Sequence, residues 1–333
     1  MDRPGHRRLG KRGPVTVLIL TRQFDPTADL VVRELHHRRV PVFRCDPGDF
    51  PEEIELRAHT SADGTVTGTL RQGKREVSLS EVSSVYHRRP STPRPHPLLN
   101  GDEQRWCVRE ATSGFYGVLT ALDRPWLNHP DVNRAAAHKP RQLVVAARAG
   151  LTTPESLITN ETDAAHTFAS TQAKTVYKSL TGGPRTKDSQ QSGRALYTTV
   201  VTPEEITPGV KHTAHLFQTW TNKVYEVRIT VVGNDFFAVR IDAGSRAAHT
   251  DWRSDYSSLS YTPVETPDDV RRSVSRLMSD FRLTYAALDF VVTHEYRWVF
   301  LELNPNGQWG WIQLATGLPI ATAIADHLRK GHT

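Results

Sequence analysis

The sequence predicts an α/β protein built of several α+β lobes, and three observations predict it. A β-α-β pattern opens the chain, strand-like and helix-like segments alternate irregularly after it, and 333 residues with 38% apolar content can fill more than one packed lobe. The opening pattern is the strand-like run VTVLIL from Val15 to Leu20, a helical stretch carrying Leu30, Val31, Glu34 and Leu35, and a second strand around Val40 to Phe43. No GxGxxG turn accompanies it, so this lobe packs and shapes a site without binding a dinucleotide. Residues Ile54 to Leu79 alternate about an Asp63-Gly64 turn, which predicts a hairpin excursion. A proline-rich connector follows from Pro90 to Pro97, then a helix over Glu103 to Leu122.

Prolines and a tight turn between Arg124 and Pro130 mark a boundary. Beyond it the pattern predicts a helix from Arg141 to Ala149, closed by Gly150, and a strand at Thr175 to Lys178. A loop around Gly182 and Gly183 comes next, then strands near Tyr197 to Val201, Leu216 to Trp220, Tyr225 to Val232 and Phe236 to Ile241. Thr266, Pro267 and Asp269 start a helix whose Val270, Val274, Leu277 and Phe281 share one face. The chain thus divides into a basic tail (1–13), an N-terminal domain (14–128), a central helix with a small lobe (129–215) and a C-terminal lobe (216–330).

Composition excludes several classes. Cys45 and Cys107 are too few for a disulfide framework and lack zinc-ligand spacing. The apolar runs are too short to cross a bilayer, and no apolar stretch follows the basic start, so the chain reads as cytoplasmic. Of the net charge of +6, the first thirteen residues carry +4 (Arg3, Arg7, Arg8, Lys11 and Arg12 against Asp2), leaving +2 for the rest. That distribution describes a solvated tail on a nearly neutral body, and no nucleic-acid partner is expected.

The strongest local signal is YAALDFVV followed after a short turn by RWVFLELN. A turn centred between Glu295 and Tyr296 sets Leu288 opposite Leu303, Phe290 opposite Leu301 and Val292 opposite Val299, burying one apolar face. The same register places Asp289 opposite Glu302, with Cβ atoms about 5 Å apart, and Asn304 on their face. Carboxylates so close repel one another unless a cation lies between them, and an all-oxygen set suits Mg²⁺ better than zinc. The segment NPNG then breaks the strand beside this site.

At these residues the sequence resembles the C-terminal signature of ATP-grasp enzymes, an acid on one strand before Glu-x-Asn on the next. The resemblance implies an ATP-grasp fold behind a pre-ATP-grasp domain, with ATP and Mg²⁺ as cofactors; no GxxxxGK motif offers a P-loop instead. In similar enzymes two lysines and a Gly-containing loop hold the polyphosphate, and Lys139, Lys178, Gly182 and Gly183 match those positions. FQTWTNKVYEVRITVVG resembles the family's hinge strand and its Asp-x-Arg strand. Gln218, Trp220 and Thr221 would then line the adenine and Lys223 the ribose, with Thr219 and Glu226 departing from the usual pattern. Arginines from these strands lie beside the transferred phosphoryl group in similar enzymes, which makes Arg228, Arg240 and Arg253 the catalytic candidates.

From Val15 to Leu328 the chain is similar to the ATP-grasp ribosomal peptide maturases that make graspetides. TRQFDPTADLVVRELHHRRVPVFRCDPGDFP, WLNHPDVNRAAAHKPRQ, EVRITVVGNDFFAVRI and FLELNPNGQWGWIQLATGLPIA carry the likeness. It implies phosphorylation of Asp or Glu side chains in a ribosomal precursor peptide, with a leader and a Thr/Asp/Glu-containing core, and closure of ester or amide macrocycles. It also suggests a homodimer. The alternatives are a ligase adding free amino acids to a carboxylate, a module that binds nucleotide and peptide without turnover, and a nucleic-acid binder using the basic tail.

Overall fold

A computed structural model describes residues 16–181 and 198–330 of the chain. The described residues up to Pro130, together with those from Ala321, form one unit, and Asp131–Ile320 form a second.

The first unit opens with β1 (Thr16–Leu20), all five residues of which are buried. Asp25 then starts α1 (Pro26–His37) by accepting the N–H groups of Thr27 and Ala28. After β2 (Val42–Cys45) come β3 (Ile54–Thr60), β4 (Val66–Gln72) and β5 (Arg75–Ser78), so the expected hairpin excursion is a three-stranded antiparallel meander. The unit continues with β6 (Val82–His87), α2 (Gly101–Thr120) and β7 (Trp126–Leu127). A parallel sheet of order β2-β1-β6-β7 runs through it, which explains the unbroken apolar run of β1: a strand covered on both faces has no polar side to show. Leu18, Leu20 and Phe43 pack with Leu70, Val77, Phe115 and Leu119 in its core.

The second unit begins with α3 (Pro130–Ala136) and α4 (Lys139–Arg148). The latter starts two residues before its expected first residue, because Pro140 fits a helix's first turn, where no N–H is needed. Next are β8 (Ser156–Thr159), α5 (Thr162–Thr171), β9 (Thr175–Lys178), β10 (Thr199–Val201) and β11 (His215–Thr219), with the strands in an antiparallel sheet of order β10-β9-β11-β8. Then come β12 (Tyr225–Val232), β13 (Asp235–Ala243), α6 (Arg246–Thr250), β14 (Leu259–Val264), α7 (Asp268–Asp280), β15 (Tyr285–Val292), β16 (Trp298–Asn304) and α8 (Gly310–Thr316). The larger antiparallel sheet has the order β14-β13-β12-β15-β16. Val227, Ile229, Leu288, Phe290 and Phe300 form one face of it, buried with Ala146 of α4 and Val274 and Leu277 of α7. α9 (Ile320–Lys330) returns to the first unit, where Ser84 donates to the Leu328 carbonyl at 2.8 Å and Arg38 pairs with Asp326 at 2.9 Å.

The β15/β16 hairpin pairs Leu288 with Leu303 and Asp289 with Glu302, in the expected register. Past Asp289 the expectation fails by one residue: Phe290 faces Phe300, not Leu301, and Val292 faces Trp298, not Val299. Leu301 is the extra residue of a β-bulge. The bulge keeps Phe300 against Phe290 in the core, ring centroids 5.7 Å apart, and turns two successive side chains, Leu301 and Glu302, toward one cavity.

Candidate active site

The opposite face of the larger sheet carries charge, with Glu226, Arg228 and Asp289 buried on it. Arg228 on β12 lies opposite Asp289, and its Nη1 donates to both carboxylate oxygens at 2.8 and 3.0 Å. Arg253, on the turn after α6, spans the acidic pair, its Nη2 donating to Asp289 Oδ2 and to Glu302 Oε1 at 2.8 Å. Lys139 reaches the other Glu302 oxygen at 3.0 Å and the Ser179 carbonyl at 2.9 Å. Burial alone would raise the Glu302 pKa, but Arg253, Lys139 and Lys178 hold it well below the ordinary carboxylate range. Burial works against the Arg253 charge in turn, and Asp289 and Glu302 overcome it, raising its pKa.

Asp289 and Glu302 open into a cavity lined also by Lys139, Lys178, Gln218, Trp220, Thr221, Lys223, Glu226 and Arg253, all within the second unit. Val176, Val291 and Leu301 supply apolar wall. Burial brings the Lys178 ammonium down to about 8. Gln218 donates to Ser156 Oγ at 2.9 Å, and its own Oε1 is buried without a hydrogen-bond partner among the described residues. Lys174 and Lys223 lie over the Trp220 ring, 4.1 and 5.2 Å from its centroid. Lys223, expected to face a ribose, is paired with Glu226 at 2.6 Å, and burial raises the Glu226 pKa.

Residues 16–134 match the family model of the MvdD pre-ATP grasp domain. No curated protein matches the chain. Among solved structures it is similar to a RiPP-associated ATP-grasp ligase from Chryseobacterium gregarium, solved with ADP and a leader and core peptide. The two share 28% identity over 94% of this chain and 96% of that one, with a TM-score of 0.85. The macrocyclase MdnC from Microcystis aeruginosa, bound with its precursor peptide MdnA, is 26% identical over 94% and 98% of the two chains (TM-score 0.82). MdnB from the same organism is 28% identical over 95% and 99% (TM-score 0.78). The chain is an ATP-grasp ligase.

The ligase gathers most of the residues expected of its site, and four need comment. Arg240 lies elsewhere: β13 sets it opposite Val227, one residue out of step with Arg228, so it points to the other side of the sheet. There it pairs with Asp242 at 2.6 Å and lies over the Tyr225 ring. Asn304 shares the face of Asp289 by register but turns its Oδ1 to the Asn306 N–H at 3.0 Å and does not line the cavity. Gly182 and Gly183 lie outside the described residues.

Other residues hold the ligase's site in place without having been read from the sequence. Gln142, buried in α4, donates to the carbonyls of Ala136 and Leu303 at 2.7 Å and accepts the Leu303 N–H at 2.9 Å, fixing Lys139 beside Glu302. Asp251 accepts the backbone N–H groups of Arg253 and Thr198 at 3.1 and 3.0 Å. Trp252 lies buried beneath the Arg253 guanidinium, 4.6 Å from Cζ to ring centroid. Gly307 lets the NPNG turn approach the sheet: a Cβ there would lie 2.3 Å from Ala287 Cβ and 2.8 Å from Arg228 Nη2.

Proposed function

We propose that the ligase transfers the γ-phosphoryl group of ATP to an Asp or Glu side chain of a ribosomally made precursor peptide. A Thr or Ser hydroxyl, or a Lys amine, of the same peptide then attacks the acyl phosphate carbon and displaces phosphate. Each ester or amide link yields ADP and phosphate and leaves the peptide lighter by one water. The observation that carries this reading is one cavity that joins Lys139 and Lys178 to the facing Asp289 and Glu302 carboxylates. It occurs in a chain similar over 94% of its length to ligases solved with leader, core or precursor peptides.

The residues fit the reactants. Gln218 Oε1, buried and without a partner among the described residues, can accept from the amino group of adenine, with Val176, Val291 and Leu301 as apolar wall. Lys139 and Lys178 neutralise phosphate oxygens, and the Arg253 fork can pair with the acidic acceptor and with the charge that develops on it. Asp289 and Glu302 form an all-oxygen pair already separated by a cation, which fits Mg²⁺, an ion that keeps waters and phosphate oxygens among its ligands. Asn304 would join them on the same face. The bound ion would align and neutralise the phosphates.

The reaction belongs in the cytoplasm, where ATP and newly made peptide meet; no helix among the described residues is long and apolar enough to cross a membrane. Mass spectrometry of a short neighbouring reading frame rich in Thr and Asp/Glu, incubated with the ligase, ATP and Mg²⁺, tests the reading. One water lost per link, with no sequence fragments from inside the ring, is expected. A product heavier by an added amino acid would replace macrocyclisation with free amino-acid ligation.

A further inference from the structure

All four carboxylate oxygens of Asp289 and Glu302 already accept from a cationic side chain. Arg228 takes both Asp289 oxygens, Arg253 shares one of these and takes Glu302 Oε1, and Lys139 takes Glu302 Oε2. Arg228, Arg253, Lys139 and Lys178 thus surround Asp289, Glu302 and Asp251, and a divalent ion entering alone would meet surplus positive charge. An ion that binds these carboxylates therefore competes with the resident cations for their oxygens.

The three cations on these oxygens are not equally held. Arg228 is 5% exposed and also donates to the Gln308 carbonyl at 3.3 Å, against the close approach of Gly307. Lys139 is anchored by the Ser179 carbonyl and sits at the start of α4, which Gln142 ties to β16. The Arg253 side chain is 33% exposed on a short turn, and apart from the acidic pair it has Asp251 at 3.5 Å and the face of Trp252. A flat aromatic face can keep a guanidinium bound while it slides.

We propose that Arg253 is a resident stand-in for the metal ion: it bridges Asp289 and Glu302 until a metal–nucleotide complex arrives, then yields that position. The nucleotide's negative charge makes the exchange favourable, and the freed guanidinium turns to the acidic side chain of the peptide. Metal loading and acceptor capture are thereby coupled through one residue. This inference rests on the proposed metal site.

Mn²⁺ binding followed by electron paramagnetic resonance, without peptide or turnover, tests it. Without nucleotide, Arg253→Gln should bind Mn²⁺ more tightly than the natural protein, on the order of tenfold. Arg271→Gln, which removes an equal charge on α7 from over the Phe236 ring of β13, should leave the affinity unchanged. Arg253→Lys keeps the charge but cannot span both carboxylates with a planar fork, so it should fall between the natural protein and Arg253→Gln, and it decides the matter if the Gln variant does not fold. Equal or weaker Mn²⁺ binding by the folded Arg253 variants overturns the proposal while leaving the metal site standing. Failure of the natural protein to bind Mn²⁺ even with ADP overturns the metal site and the proposal with it.

Discussion

Lys178 lines the cavity with its ammonium brought down by burial to about 8, so its charge changes within the working range of pH. Phosphate oxygens favour the charged form, so nucleotide binding must raise this pKa and take up a proton. The sign follows: ADP affinity is greatest below pH 8 and falls as pH rises through 8, by at most about tenfold per pH unit for one proton. Calorimetry from pH 7 to 9.5 should show this slope, and Lys178→Arg should flatten it. Glu302→Ala should abolish ATP turnover while circular dichroism stays native, because it removes one of the facing carboxylates. Arg240→Ala should leave turnover near that of the natural protein and change stability by roughly 0.5 kcal/mol or less, since its pair with Asp242 is half-exposed and on the wrong side of the sheet. The difference between Arg228 and Arg240 was not legible from residue type. It depends on strand parity across β12 and β13, which fixes the side only once the pairing register is known.

At the scale of the element, the β15/β16 hairpin was legible because its apolar residues allowed one register near Asp289 and Glu302. The bulge at Leu301 was not, since nothing in FLELN distinguishes a regular strand from one with an extra residue. Gln142 left no signal either: a glutamine in an amphipathic helix reads as a solvated residue until the strand beside it is placed. Its three hydrogen bonds satisfy backbone groups of α3 and β16 in a buried setting. Gln142→Ala should therefore destabilise the ligase by about 2–4 kcal/mol, as buried groups lose their partners. It should also weaken nucleotide binding by letting Lys139 drift from Glu302. Chemical denaturation and calorimetry read the two effects separately.

For the whole molecule, the mixed α/β class followed from pattern alone, whereas the return of α9 to the first unit did not, because local periodicity says nothing about which distant surface a helix meets. Ile324 of α9 is fully buried, and Ile324→Ala should cost about 2–5 kcal/mol. Hydrogen exchange should show faster exchange in β1 and β6 with β15 and β16 unchanged. The placement of α9 also sets a schedule. During synthesis β1, α1 and β6 emerge first, yet the helix that docks on them follows residues 131–320, a wait on the order of ten seconds or more at ordinary ribosomal speed. Through that interval the nascent surface of β6 and α1 lies open to chaperones, and permuting α9 to the front of the chain would remove the delay.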